Sequence, residues 1–228
     1  AGVSIGTTTA NGSGAWSFNH TGTTLAQGSY AITAKATDAA GNTSAASDAF
    51  TATIDITATT TVTAPTDALI SATEETSVSL SGTVTHIENG NTITVTFSDG
   101  TDSVQATATI TGGAWTVSNV DLSSLAEGAI NVTTSVTDDA GNTSTTTNNG
   151  LFTLDRTAPA KPVVTAISGD TGDSSTDGLT NDQTLVISGT AEANSTVEVF
   201  IAGVSIGTTT ANGSGAWSFN HTATTLAQ

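Results

Sequence analysis

Residues 1–27, AGVSIGTTTANGSGAWSFNHTGTTLAQ, return at 202–228 with a single change, Gly22 against Ala223. The two copies lie 201 positions apart, and a weaker copy stands halfway between them. Trp16 aligns with Trp115, and Leu25-Ala26-Gln27-Gly28 with Leu125-Ala126-Glu127-Gly128. Thr37-Asp38-Ala39-Ala40-Gly41-Asn42 aligns with Thr137-Asp138-Asp139-Ala140-Gly141-Asn142, and Asp55 with Asp155. The basic period is therefore about 100 residues. Solenoid repeats run at roughly 20–50 residues, so each unit here is long enough to carry a core of its own. The chain reads as a tandem array of small domains.

The phase of the repeat divides the chain into three parts. Residues 1–56 resemble the closing portion of a repeat, 57–156 a complete one and 157–228 an opening portion. The expectation is a window on a longer array. A partial domain leaves strand edges unpaired, which natural proteins avoid. Either the window is arbitrary or a neighbouring chain supplies the missing strands; the sequence does not separate the two.

Period-2 alternation sets the class. Ile93, Val95 and Phe97 alternate with Thr92, Thr94 and Thr96, and Val78, Leu80 and Val84 with Ser79, Ser81 and Thr83. Leu185 and Ile187, Val197, Val199 and Ile201, and Ile130, Val132 and Val136 repeat the pattern. β-Branched residues in this alternation make strands with one buried face. In the complete repeat, strands are expected near 59–65, 77–85, 91–97, 103–110, 114–118, 129–137 and 150–155. Glu88-Asn89-Gly90-Asn91, Ser98-Asp99-Gly100, Gly112-Gly113 and Asp139-Ala140-Gly141-Asn142 separate them as turns. About seven short strands per hundred residues, without helical periodicity, indicate an all-β chain of tandem immunoglobulin-like Greek-key β-sandwiches. Gly14-Ala15-Trp16, Gly113-Ala114-Trp115 and Gly215-Ala216-Trp217 place one indole at the same strand position in each repeat. With aromatics at 4% of the chain, that ring is read as a large share of each core. Leu25 to Tyr30 resembles a tyrosine corner; Ile130 replaces the tyrosine in the complete repeat.

Charge narrows the partners. Three Lys and Arg stand against 20 Asp and Glu, a formal charge of −17, which disfavours nucleic acid and anionic lipid. There is no Cys, so disulfides do not fix the domains or their orientation. No apolar run approaches membrane-spanning length.

The residues Asp170-Thr171-Gly172, Asp177-Gly178-Leu179-Thr180-Asn181-Asp182 and Ile187-Ser188-Gly189-Thr190-Ala191-Glu192 belong to one set that carries a resemblance. Gly215-Ala216-Trp217, the Thr37–Asn42 string and Asp155-Arg156-Thr157-Ala158-Pro159 complete it. On these residues nearly the whole chain resembles the bacterial Ig-like repeats of giant repetitive adhesins, secreted by type I (RTX-adhesin) systems in Gram-negative bacteria. The middle repeat departs from the pattern, with only Asp67, Glu74 and Glu75 in the loop 66–76. The resemblance implies a Ca2+-stiffened extender on the cell surface, supporting adhesion or biofilm formation.

Two carboxylate groups are candidate metal sites. Asp170, Asp173, Asp177, Asn181 and Asp182 share a short loop, and a hard divalent cation takes six to eight oxygen ligands. The spacing matches neither an EF-hand nor a GGxGxD nonapeptide; the alternative is a solvated acidic loop. The second group is the junction between repeats. In an immunoglobulin-type sandwich the loop joining the last two strands lies at the N-terminal end, which brings Asp138 towards Asp55, with Glu88 and Asn91 nearby. The same geometry brings Asp155 towards Glu192 and Asn194. The resemblance implies Ca2+ at such junctions; the alternative is that Asp38 and Asp138 cap a tight turn.

Catalysis finds no support. His20, His86 and His221 have no second ligand nearby in sequence, and no nucleophile elbow, HExxH or phosphate loop occurs. The reading is a non-enzymatic stalk whose partners are neighbouring Ig-like repeats. Its rivals are a carbohydrate- or protein-binding module and a filament subunit completed by strand complementation from other chains.

Overall fold

A computed structural model describes residues 3–171, 174 and 176–224. They form fifteen strands and no helix. The chain falls into two units, the first ending at Arg156 and the second beginning at Thr157.

The first unit opens with a hairpin of β1 (Gly28–Ile32) and β2 (Phe50–Ile54), paired antiparallel from Gly28↔Ile54 to Ile32↔Phe50. A complete sandwich follows: β3 (Thr59–Val62), β4 (Leu69–Ser71), β5 (Val78–Thr85), β6 (Thr92–Ser98), β7 (Ser103–Thr109), β8 (Ala114–Val120), β9 (Gly128–Thr137) and β10 (Thr143–Asp155). One sheet has the order β3-β5-β8 and the other β4-β10-β9-β6-β7. The chain changes sheet between β3 and β4, β4 and β5, β5 and β6, β7 and β8, and β8 and β9, the Greek-key connection of an immunoglobulin-like fold.

The alternation read in the sequence is the core. Ile93, Val95 and Phe97 on β6 and Ile130, Val132 and Val136 on β9 are buried, facing Leu80, Val84, Trp115 and Val117 of the other sheet. Gly82 on β5 makes room for the indole. A Cβ there would fall on the Thr61 carbonyl and the Trp115 ring.

Two strands differ from expectation. β4 is three residues long and too short to show a period. β10 begins at Thr143 rather than 150. Its first half, Thr-Ser-Thr-Thr-Thr-Asn, has no apolar residue to reveal it. It pairs with β9 instead through threonine hydroxyls, Thr137 with Thr143 at 2.8 Å and Thr133 with Thr147 at 2.9 Å. Cross-strand Thr pairs of this kind stabilise a sheet where apolar burial is absent.

The second unit holds β11 (Val163–Ile167), β12 (Val186–Thr190), β13 (Thr196–Ile201), β14 (Val204–Thr210) and β15 (Ala216–Asn220). Its sheets are β11-β12-β15 and β13-β14. A smaller core of Leu185, Ile187, Val197, Val199, Ala211 and Trp217 lies between them. Gly189 stands beneath Trp217 and the Val163 carbonyl as Gly82 does beneath Trp115.

The duplicated string takes two conformations. Residues 204–220 form β14 and β15, with Trp217 5% exposed. Residues 3–27 form no strand, and Trp16 is 58% exposed. The turns are nonetheless the same. Asn11 Oδ1 accepts from the backbone of Ser13 and Ala15, both at 3.0 Å. Asn212 Oδ1 does so from Ser214 and Ala216, again at 3.0 Å.

Candidate functional site

The junction near Asp55 is built by the β9–β10 turn. Backbone bonds close it, Asp138 N–H to the Asn142 carbonyl at 3.0 Å and Gly141 N–H to the Asp138 carbonyl at 3.2 Å. The Asp138 side chain, 5% exposed, caps the turn from inside. Its Oδ1 accepts from Asn142 N–H at 2.7 Å and its Oδ2 from Asn142 Nδ2 at 2.8 Å. Burial is the largest influence on this carboxyl and raises its pKa. The bonds from Asn142, Gly141 and Ala140 together outweigh it and hold the group below its ordinary value. Asp38 makes the same cap with Asn42 in an exposed turn, and its pKa is lowered chiefly by the Asn42 side chain.

Asn142 also reaches across the junction. Its Nδ2 donates to the Asp55 main-chain carbonyl at 3.2 Å. The neighbouring loop is tied in by Glu88, whose Oε2 accepts from Asp139 N–H at 3.0 Å, while Asn91 Nδ2 donates to the Thr137 carbonyl at 3.2 Å. Asp55, Asp138, Glu88 and Asn91 thus occupy one end of the sandwich. The contact to Asp55 is made by its backbone, and both Asp138 oxygens are engaged by Asn142.

Asp155 ends β10 in register with Ser71. Arg156, next to it, is a residue whose role the sequence reading missed. Its Nε pairs with Glu75, and its Nη2 donates to the carbonyls of Leu122 (3.3 Å), Ser123 (3.1 Å) and Leu125 (2.9 Å). Its backbone N–H donates to Glu127 Oε1 at 2.7 Å. The available signal was the single Arg of the chain, since so isolated a cation among acids invites a search for its partner. Glu192 and Asn194 belong to the second unit, where Glu192 accepts from Ser195 through its carbonyl and Asn194 adopts a positive φ of 65°.

The loop 169–182 carries the other candidates; Asp173 lies outside the described residues. Asp170 Oδ2 accepts from Gly178 N–H at 3.1 Å, and Asp177 Oδ1 from Leu179 N–H at 3.1 Å. Asn181 Oδ1 accepts from Thr171 Oγ1 at 2.8 Å. Asp182 Oδ1 accepts from both the N–H and the hydroxyl of Thr184 at 2.8 Å, which lowers its pKa, the backbone bond most. Asp170 Oδ1 is buried and has no hydrogen-bond partner among the described residues. Among those residues no three His, Cys, Asp or Glu side chains converge as a metal cluster.

Comparison with known proteins adds the lineage. A bacterial Ig-like domain family matches residues 1–56 and 157–228, more than half of the chain. No curated protein matches. Among solved structures, the chain is similar to a four-repeat segment from the extending region of a large adhesion protein. The two are 31% identical, over 86% of this chain and 49% of that one, with a TM-score of 0.39. A Ca2+-stabilized adhesin that helps an Antarctic bacterium reach out and bind ice is 28% identical, over 85% of this chain and 48% of that one, with a TM-score of 0.38. A 1.5-MDa bacterial ice-binding adhesin is 25% identical over 81% of this chain and 60% of that one, with a TM-score of 0.39. The chain spans about half the length of the first two structures and 60% of the third.

Proposed function

The chain belongs to the bacterial Ig-like domain family, and on that premise we propose that it is part of the extending stalk of a bacterial surface adhesin, held rigid by Ca2+. The observation that carries this reading is how the sandwich 57–156 is tied at both ends. Asn142 holds the incoming chain at Asp55, and Arg156 locks the outgoing chain onto Glu75 and three carbonyls. Between these ends β4 runs parallel to β10, with Leu69, Ile70 and Ser71 opposite Thr153, Leu154 and Asp155. Tension drawing the two chain ends apart shears such a pair, so its hydrogen bonds resist together instead of opening one by one. That is an arrangement for carrying load, not for catalysis, and the proposed role is non-enzymatic.

The loop 169–182 fits a hard cation. Its side-chain donors are oxygens, and Asp170 offers a buried oxygen without a partner among the described residues. Asp170, Asp177, Asn181 and Asp182, with Asp173 in the same sequence segment, would hold Ca2+ there, which neutralises their mutual repulsion. Asp55, Asp138, Asp38 and Asp155 are the second proposed group. Asp138 and Asp38 serve as turn caps as they stand, so a cation at either has to draw the carboxylate away from its asparagine. The Ca2+-stabilized relative supports this part of the proposal. A cell-surface location on a Gram-negative outer membrane, partnership with neighbouring Ig-like repeats and a part in biofilm formation follow from the same reading.

Calcium titration of the full chain tests it, with melting and small-angle scattering followed with and without chelator. At Ca2+ a hundredfold above Kd, binding to the folded state alone adds about 2.7 kcal/mol. The expected result is a higher melting temperature and a longer particle with Ca2+. No change in either quantity refutes the calcium-stiffened stalk.

A further inference from the structure

The strands of the sandwich 57–156 are not held equally. Ile93, Val95 and Phe97 on β6 and Ile130, Val132 and Val136 on β9 are each 2% exposed or less. β3 stands at the edge of its sheet and pairs only with β5. It turns Thr60 and Val62 inward, and Val62 is only partly buried. The surface beneath it is polar as well. Thr146 Oγ1 donates to the Thr60 carbonyl at 3.1 Å. Thr146 lies across from Thr134 on β9, and Asn148 follows two residues along β10. Thr60 Oγ1, Thr134 Oγ1 and Asn148 Nδ2 are buried, and none has a hydrogen-bond partner among the described residues. A buried polar group left unpaired forfeits its hydration, which is worth roughly 5- to 150-fold in an opening equilibrium.

The next strand along the chain is fastened separately. β4 belongs to the other sheet, and its Ile70 is 4% exposed in the core. The Ala68 carbonyl accepts from Thr153 N–H at 2.8 Å, and Asp67 Oδ1 from Leu69 N–H at 2.9 Å. Between β3 and β4, residues 63–67 are exposed or half-buried. Thr63 N–H donates to the Ser81 carbonyl at 2.9 Å, and Pro65 has no N–H to offer. This crossover can serve as a hinge, so that β3 leaves β5 while β4 stays in place. Departure breaks the β3–β5 ladder and the hydroxyl pairs Thr59–Thr85 and Thr61–Thr83, all of which then meet water. It also hydrates Thr60, Thr134 and Asn148, and removes only Val62 from the margin of the core.

We propose that β3 is a releasable strand, opening reversibly without the rest of the sandwich, and that the unpaired polar groups beneath it set the ease of release. Local openings of this kind occur well below the free energy of global unfolding. Their use under load rests on the stalk reading above. Tension on the incoming chain frees β3 first and leaves the parallel β4–β10 pair to hold, so the domain yields a short length before it unfolds. The opening itself requires no stalk.

Native-state hydrogen exchange of the full chain, read by NMR, tests the opening. Thr63 N–H is bonded to Ser81, and Thr61, opposite Thr83, is in the same phase of the ladder, since antiparallel bonds alternate along a strand. Both amides should exchange about a hundredfold faster or more than Thr153 N–H, which reports β4. Low urea should scarcely change their rates, because local opening exposes little surface. Rates and urea dependence equal to those of Thr153 refute the proposal. Thr60→Val keeps the branched shape, removes one unpaired hydroxyl and should slow exchange at Thr61 and Thr63 by about tenfold. Thr134→Val, on the facing strand, should do the same. Unchanged rates in both variants overturn the polar groups as the cause. Stretched in magnetic tweezers, the full chain should show a short reversible step below its unfolding force, and Thr60→Val should move that step to higher force. Fast local exchange without such a step overturns the use under load and leaves the releasable strand standing.

Discussion

Replacing Trp115 with alanine and replacing Trp16 with alanine delete the same side chain from aligned positions, and the two changes should differ greatly in effect. The Trp115 ring is buried against Gly82 in the sandwich core, while Trp16 lies mostly in solvent. Truncating a buried Trp or Phe to alanine costs about 3–5 kcal/mol, from lost transfer energy plus the cavity left behind. A domain of this size has only about 5–15 kcal/mol of stability to lose. At roughly 4–8 °C per kcal/mol, Trp115→Ala should lower the melting temperature of the sandwich by more than ten degrees. Trp16→Ala should stay within about 0.5 kcal/mol, the range of surface substitutions. One compensation is visible: Trp115 Nε1 is buried with no hydrogen-bond partner among the described residues. Trp115→Phe, which removes that orphan donor, should therefore cost less than its lost area implies. Calorimetry and urea unfolding of the three variants, with near-ultraviolet circular dichroism as the packing readout, supply the measurement. Equal losses for Trp16→Ala and Trp115→Ala would refute the claim that burial, not the local string, decides what this residue contributes.

Arg156→Ala removes an ion pair and three hydrogen bonds to main-chain carbonyls, and should destabilise the sandwich 57–156 by about 2–3 kcal/mol, the scale of charge-assisted bonds. Urea midpoints measure it, and a change below about 0.5 kcal/mol would mean the clamp is incidental. Asp38, Glu74, Asp99, Asp121, Asp138 and Asp182 all have folded-state pKa values below their ordinary ones. Their contribution is complete above the unfolded values, near pH 4, and is lost as pH falls through the lowered folded values. Between pH 7 and pH 5 the net charge of −17 begins to be neutralised, which relieves repulsion, so stability should hold or rise slightly there. Below about pH 4 it should fall, as followed by circular dichroism. Loss that begins above pH 5 would contradict the assignment.

Much of the sandwich was legible in advance. The alternating stretches on β5, β6 and β9 became strands within a residue of expectation, because alternation records which face is buried. Asp138 and Asn142 were legible as a turn, since an Asx cap needs only the turn's own backbone. The first half of β10 was hidden because its threonines pair through hydroxyls and leave no apolar signature. The role of Arg156 was hidden because Glu75 and the carbonyls of Leu122, Ser123 and Leu125 are distant in sequence.

The duplicated string separates the two sources of information most sharply. By itself the sequence determined the repeat period, the strand class and the asparagine-centred turns, which are the same at Asn11 and at Asn212. Only tertiary structure decided that residues 204–220 are strands while the matching residues 3–19 are not. A turn satisfies its hydrogen bonds locally, within four or five residues. A strand has no internal hydrogen bonds: its N–H and C=O groups need a neighbouring strand, and its apolar face needs an opposing sheet. Residues 204–220 have both, from β12 and β13 and the core around Trp217. Residues 3–19 have neither within the described chain; they form no strand, and Trp16 there is 58% exposed.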